Sequence, residues 1–241
     1  MLHLLFEALT ESLTQESFLR EFSKKYHYEE PQLPTLAAVA VSMQKAILSD
    51  VRDGKAGWNC GAFPLNGRET VAECLPVCIT LGPGIDALQE SYLQQGLLSE
   101  AYMVETLASE LLLQAYPRWN DWVAERGAAQ IEAQEAQGAL HVRRYHFLGS
   151  EGECPIESLP ELLKELKVPV TCTSAYCMLP KKSVAFYAEL TQEQDVHCEG
   201  ICVGCGSRSC PNRMEKRTAG HVTDMTDRPL TYGYLQIFGH R

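Results

Sequence analysis

No stretch of the 241-residue sequence holds the roughly 20 consecutive apolar residues that a membrane-spanning helix needs. Basic residues are in short supply too: 21 lysines and arginines stand against 31 aspartates and glutamates, leaving a formal charge of -10. That balance argues against a nucleic-acid partner, because phosphate binding rests on clustered Lys and Arg. The first residues, MLHLLFEALTESL, lack the uninterrupted apolar run of a signal peptide, since Glu7 and Glu11 break it, and a cytoplasmic chain is expected. There is no internal repeat. The depleted hydrophobic content of a disordered chain is missing as well, because 45% of the residues are hydrophobic and the length is enough for one domain with a sizeable core.

What is present reads as a mixture of helices and strands. Leu5, Leu9, Leu13, Phe18 and Phe22 recur at helical spacing, EEPQLP at Glu29 to Pro34 interrupts them, and Leu36 to Val51 predicts another helix. The glycines between Asp53 and Gly67 predict a loop. Val77 to Leu81 predicts a buried strand that ends in Gly-Pro-Gly. Ile85 to Tyr116 then predicts one long core helix, with Leu97, Ala101, Val104, Ala108, Leu111 and Ala115 as its apolar stripe and Pro117 as its bend or stop. Glu105 and Glu110 flank that stripe, where a carboxylate is ordinarily solvated; the sharper alternative turns one of them toward a ligand. Trp122 to Gly138 is helix-prone and expected to be exposed, Leu140 to Gly149 predicts a strand, and a short helix capped near Ser158 follows. Val168 to Leu190 predicts two extended runs broken at Pro180. In the second, Val184, Phe186, Ala188 and Leu190 face one way and Ser183, Ala185, Tyr187 and Glu189 the other. Leu230 to Phe238 predicts a terminal strand.

Six of the ten cysteines are scattered singly among apolar neighbours, as small hydrophobes are. The other four, Cys198, Cys202, Cys205 and Cys210, form C-x3-C-x2-C-x4-C followed by Pro211. Two thiols separated by two residues can reach one ion from a tight turn, and Gly200, Gly204 and Gly206 let the backbone curl. Thiolate ligands suit a 4Fe-4S cluster or zinc and exclude calcium and magnesium; the compact spacing with a trailing Cys-Pro favours iron-sulfur over zinc, with reduced thiols or a purely structural turn as the third reading. C-x3-C-x2-C also matches the signature of radical S-adenosylmethionine enzymes. That assignment fails because only 36 residues follow Cys205, too few for the barrel such chemistry requires.

The run CMLPKKSVAF, the later C-x2-C-x4-C-P-N-R and the upstream ITLGPGIDALQ together resemble the activation-domain family of cobalamin-dependent methionine synthase, in particular its free-standing bacterial relatives with a C-terminal cysteine cluster. Pro180, Lys182, Ser183, Val184, Cys202, Cys205, Cys210, Pro211 and Arg213 carry the most specific matches, and the agreement spans about Val77 to Arg213. The resemblance implies an α+β fold with a twisted antiparallel sheet and flanking helices. It divides the chain into a helical N-terminal segment of the same domain (1-70) and an activation-domain-like core (71-241), with the cysteine-cluster tail at 197-214.

It also implies a role: binding S-adenosylmethionine and docking on a corrinoid protein, so that an oxidised cobalamin can be reduced and remethylated. Asp-x-His-x-x-Gly, a cobalamin-binding sequence, is missing, so cobalamin would come only through the partner, a corrinoid-dependent methyltransferase or methionine synthase. The chain would be a component of that system rather than a complete enzyme. The family's donor signature is an arginine, two spacers and Pro-Gly-Tyr, then glycine, an acid, an apolar residue and proline. Gly152, Glu153 and Pro155 fit its tail, while Gly149, Ser150 and Glu151 stand where Pro-Gly-Tyr belongs. Ungapped counting puts His146 at the arginine position; Arg144 matches when two residues are inserted. Tyr187 stands near the family's aromatic pair, and Glu105 or Glu110 in place of its helix glutamate. The cofactor-binding set implied by resemblance is therefore Glu105, Glu110, Arg144, Gly152, Glu153 and Tyr187. Two rivals remain: a zinc- or iron-sulfur-binding structural module without a methyl-donor site, and a direct small-molecule methyltransferase, weakened by the lack of a glycine-rich strand-turn-helix.

Overall fold

The computed structural model describes residues 2–61, 73–132, 140–149 and 154–192. The chain divides into two compact units, Met1–Cys205 and Gly206–Arg241, and every described residue belongs to the first. Helices α1 (Leu2–Glu11), α2 (Glu16–Lys25) and α3 (Leu33–Arg52) lead into strands β1 (Gly57–Cys60) and β2 (Glu73–Thr80). Helices α4 (Pro83–Gln94) and α5 (Leu98–Glu132) follow, then β3 (His141–Phe147), α6 (Leu159–Leu166), the two-residue strands β4 (Thr171–Cys172) and β5 (Met178–Leu179), and β6 (Ser183–Thr191). The main sheet is antiparallel with order β1-β2-β6-β3, and β4 and β5 form a separate ribbon. Helices flanking an antiparallel sheet make this an α+β fold.

Period-two alternation sorts the central strand β6 between two apolar layers. Phe186, Ala188 and Leu190, with Val77 and Ile79 of β2 and Tyr145 of β3, join the large core built with α1, α3 and α5, where Leu9, Met43, Ile47, Leu107, Leu111 and Trp119 are fully buried. Ala185 and Cys78 point the other way, onto Leu159, Leu162, Leu163 and Leu166 of α6, with Tyr187 packed at that layer's margin. We call these the inner and outer faces.

Three elements depart from the sequence expectation. The predicted helix from Ile85 to Tyr116 is two helices: Gly96, at φ 74°, turns the chain between α4 and α5, and Leu97, expected on the core stripe, is exposed at that turn while the stripe from Ala101 onward is buried. Pro117 neither stops nor ends α5, which runs on to Glu132. Around the proline, Ala115, Tyr116, Trp119 and Val123 are all buried, so the stretch expected to be exposed after Trp122 begins with a core residue. Burying those side chains outweighs one lost backbone hydrogen bond. Finally, Gly57–Cys60, read as loop, is a strand because Trp58 inserts between Phe6 and Trp119, with edge-on contacts at 5.9 and 6.4 Å between ring centroids. The expected strand at Leu230 to Phe238 lies outside the described residues.

Pro117 is exposed and interior to α5, so its ring gives up helix stability without a packing return. Pro117→Ala is expected to raise stability by up to about 3 kcal/mol, read as a higher thermal unfolding midpoint. An unchanged or lower midpoint would mean that the core requires the helix shape the proline imposes.

Candidate functional site

The matched segments meet at one end of the β2–β6 pair. Register sets Thr80 opposite Ser183, and their hydroxyls lie 2.8 Å apart. Ser183 donates to the Pro180 carbonyl at 2.7 Å, and the Gly82 amide donates to Thr80 Oγ1 at 3.2 Å. Two short motifs about a hundred residues apart in sequence therefore share one buried hydroxyl pair. Beside it, the Lys182 side chain is largely buried, and its ammonium donates to Glu105 Oε1 and, at 3.1 Å, to Ser109 Oγ. Gln89 Nε2 donates to Glu105 Oε2 at 3.1 Å. Partial burial pushes the Glu105 carboxyl up, but the Lys182 hydrogen bond and charge, with Gln89 and Lys181, hold it below the usual range. Glu105 is thus tied into the fold at both oxygens.

Glu110, one and a half turns further along α5, serves the N-terminal helices. Its Oε2 accepts from Lys25 Nζ at 2.6 Å and from the Tyr26 hydroxyl at 3.1 Å. Both glutamates stand on α5, which packs on the inner face.

Arg144 and Tyr187 belong to the outer face. A bulge at Arg143 shifts β3 by one residue, after which Arg144 pairs with Glu189 and His146 with Tyr187. His146 is 3% exposed, with Nε2 3.0 Å from Glu189 Oε2. Arg143 Nη1 lies 3.6 Å from Glu189 Oε1. The His146 hydrogen bond, followed by the charges of Arg143, His146 and Arg144, holds the Glu189 carboxyl below its ordinary 4.5 against the upward push of partial burial. Burial raises the Tyr187 hydroxyl, reinforced by Cys154 and by Glu165 and Glu161 of α6. Tyr187 is therefore half-buried rather than the exposed strand tyrosine that the alternation alone allows.

The Glu189 shift fixes a sign for acid sensitivity. A carboxyl whose folded pKa is depressed contributes stability that is present above its unfolded value and lost as pH falls through the folded one. The unfolding midpoint of the wild type is thus expected to fall more steeply with acidification below pH 4.5 than that of Glu189→Gln. Parallel slopes for the two proteins would show that the carboxylate is not held in this way.

The structure brings Arg144 and Tyr187 to one face and leaves Glu105 and Glu110 on the helix layer behind the sheet. Gly152, Glu153 and all four clustered cysteines lie outside the described residues, among which no group of three His, Cys, Asp or Glu side chains is placed to hold a metal. The six described cysteines are free thiols, and burial pushes those of Cys60 and Cys78 up to about 11 and about 12, as expected of small hydrophobes rather than ligands or nucleophiles. Glu189 and Arg143 were not singled out by sequence as site residues. The signal available was the β6 alternation, which puts Glu189 on the same side as Tyr187.

No family model matches the chain, and no curated protein matches it. Among solved structures, the crystal structure of the MetH reactivation domain bound to AdoHcy aligns over 76% of this chain and 78% of that one, at 12% identity and a TM-score of 0.36. A likeness at that level carries no weight for ligand or activity. Among the described residues, no helix is long and apolar enough to cross a membrane.

Proposed function

We propose that the chain is a free-standing activation partner of a corrinoid-dependent methyltransferase, a methionine synthase, and that it binds S-adenosylmethionine on the outer sheet face. The observation that supports this reading is the meeting of Thr80-Leu81-Gly82 with Pro180 to Val184. The two stretches carrying the sequence resemblance are hydrogen-bonded neighbours, and the strand that begins there continues to Tyr187, opposite His146, and to Glu189, opposite Arg144. Arg144 and Tyr187 would hold and orient the donor, together with Gly152 and Glu153, which follow β3 in sequence. Glu105 and Glu110 would support the fold behind the sheet. The work asked of this chain is positioning: the donor's methyl group passes from its sulfonium to the partner's reduced corrinoid, and the rate depends on how the two are held.

Four thiolates suit an iron-sulfur centre, and Cys198, Cys202, Cys205 and Cys210 would be its ligands. A 4Fe-4S cluster supplies single electrons; zinc in its place would make the tail structural. Anaerobically purified protein that is brown, with iron and labile sulfide, supports the first, and colourless protein with one zinc supports the second.

Calorimetric titration of the full chain with S-adenosylmethionine tests the donor reading. Saturable heat that is lost in Tyr187→Ala, with the fold retained, is expected. Absence of heat at millimolar ligand would remove the methyl donor from the proposal. The partner is tested by adding the chain, a reductant and the donor to an inactive, oxidised corrinoid methyltransferase; recovery of methyl transfer is expected, and no recovery above the control without the chain counts against the reading.

A further inference from the structure

Arg143, one of the cationic groups beside Glu189, is only loosely engaged. Arg143 sits at the β3 bulge, half-exposed, and a guanidinium offers five donors in a fork matched to a carboxylate. Among the described residues it makes no hydrogen bond, and its ion-pair partner Glu189 is 3.6 Å away, beyond hydrogen-bonding distance. Glu189 in turn spends its other oxygen on His146 at 3.0 Å. A tight arginine-carboxylate pair is bidentate at about 2.8 Å, so this one leaves the fork unfilled. The groups around Glu189 are Arg143, Arg144 and His146 on β3. Glu161 and Glu165 of α6 act on the face from beside Tyr187. Arg143 and Arg144 both act on the Glu189 carboxylate.

We propose that Glu189 is an internal counter-ion that a ligand displaces: a small carboxylate-bearing anion docks on the Arg143 fork, and Glu189 withdraws onto His146. The inference deepens the reading given above, on which the incoming carboxylate is that of the donor's amino-acid end. It assigns to Glu189 a restraining role. Holding a carboxylate beside the fork keeps the arginine paired when the face is empty and lowers the affinity of whatever anion arrives. His146 gives the displaced carboxylate a hydrogen bond to keep.

The test uses the full chain and two ligands at fixed ionic strength, because exposed charges are screened by salt. Citrate probes the anion site without reference to the methyl donor. Glu189→Gln, which keeps an acceptor for His146, is expected to bind citrate about tenfold more tightly than the wild type, and adding Arg143→Gln is expected to abolish the gain. Arg143 is half-exposed, so Arg143→Gln remains informative even where changes at the half-buried Glu189 disturb the fold; alone it is expected to weaken citrate binding. Unchanged or weaker citrate binding in Glu189→Gln, or indifference to Arg143→Gln, overturns the inference. S-adenosylmethionine separates the two claims. Citrate behaving as described while the donor gives no heat sinks the donor reading alone, and donor binding that ignores both substitutions sinks the displaced counter-ion.

Discussion

Phe186→Ala is expected to cost about 4 kcal/mol of stability and, in the surviving folded fraction, to weaken the binding proposed for the outer face. Phe186 is fully buried at the centre of β6, the strand that pairs with both β2 and β3. Its ring is 5.4 Å from that of Tyr116, 5.3 Å from Tyr145 and 5.8 Å from Phe147 between centroids. These partners come from α5 and β3, so one truncation opens a cavity where helix, edge strand and central strand converge. Tyr145 has limited freedom to collapse into it, because its hydroxyl is held by Asn120 of α5. The neighbour in sequence is Tyr187, which points to the opposite face, and two residues on is Glu189. Loosening β6 against β3 thus disturbs the His146–Glu189 pair without touching either residue. Chemical denaturation reads the stability, and the change in midpoint at constant slope shows whether the loss belongs to the folded state. A loss below about 1.5 kcal/mol would mean that the ring is replaced by rearrangement rather than by a void, and that the two faces are less coupled than this packing implies.

The coupling also explains what the sequence could reveal. Local periodicity was enough for β6: Val184, Phe186, Ala188 and Leu190 alternate with Ser183, Ala185, Tyr187 and Glu189, and the structure sorts them to opposite faces as a two-residue period requires. It was enough for α3, and for the existence of β2 and β3. It was not enough where tertiary contacts override a local signal. Pro117 is a strong punctuation mark on its own, yet the apolar residues on either side of it are buried, and α5 follows the burial. The chain reversal at Gly96 is hidden because α4 and α5 both keep their stripes against the same core. Gly57–Cys60 is four residues long, with glycine at its start, and only Trp58 betrays it. On the outer face, the pairing of Arg144 with Glu189 depends on a bulge that shifts register by one, and nothing local in HVRRYHF marks where the extra residue falls. Glu105 and Glu110 look alike beside the helical stripe; their different fates are set by Lys182 and Lys25, 77 and 85 residues away in the chain.

Gly82→Ala is expected to be as damaging as the loss of Phe186, by a different route. Gly82 adopts φ 85° and ψ 167°, a region open almost only to glycine and costing about 1–3 kcal/mol for other residues. A Cβ built there would lie 2.5 Å from Asp50 Oδ2 and 2.7 Å from Asp50 Cβ. The carboxylate cannot simply swing away, because it accepts from the Gly84 amide at 2.6 Å and so caps the first turn of α4 from within a buried position on α3. Strain and collision together give an expected loss of about 3–4 kcal/mol. Asp50→Ala alone removes the Oδ2 and Cγ contacts, leaving the one to Cβ, and orphans the Gly84 amide, at about 1–3 kcal/mol. The double substitution should therefore cost less than the two single losses added together, since only the steric part is shared. Full additivity would show that backbone strain and the contact with the Cβ of residue 50 account for the Gly82 effect and that the carboxylate yields freely. Sub-additivity would instead locate the geometry of the Thr80-Leu81-Gly82 turn in its packing against α3, making this part of the family resemblance a requirement of the fold.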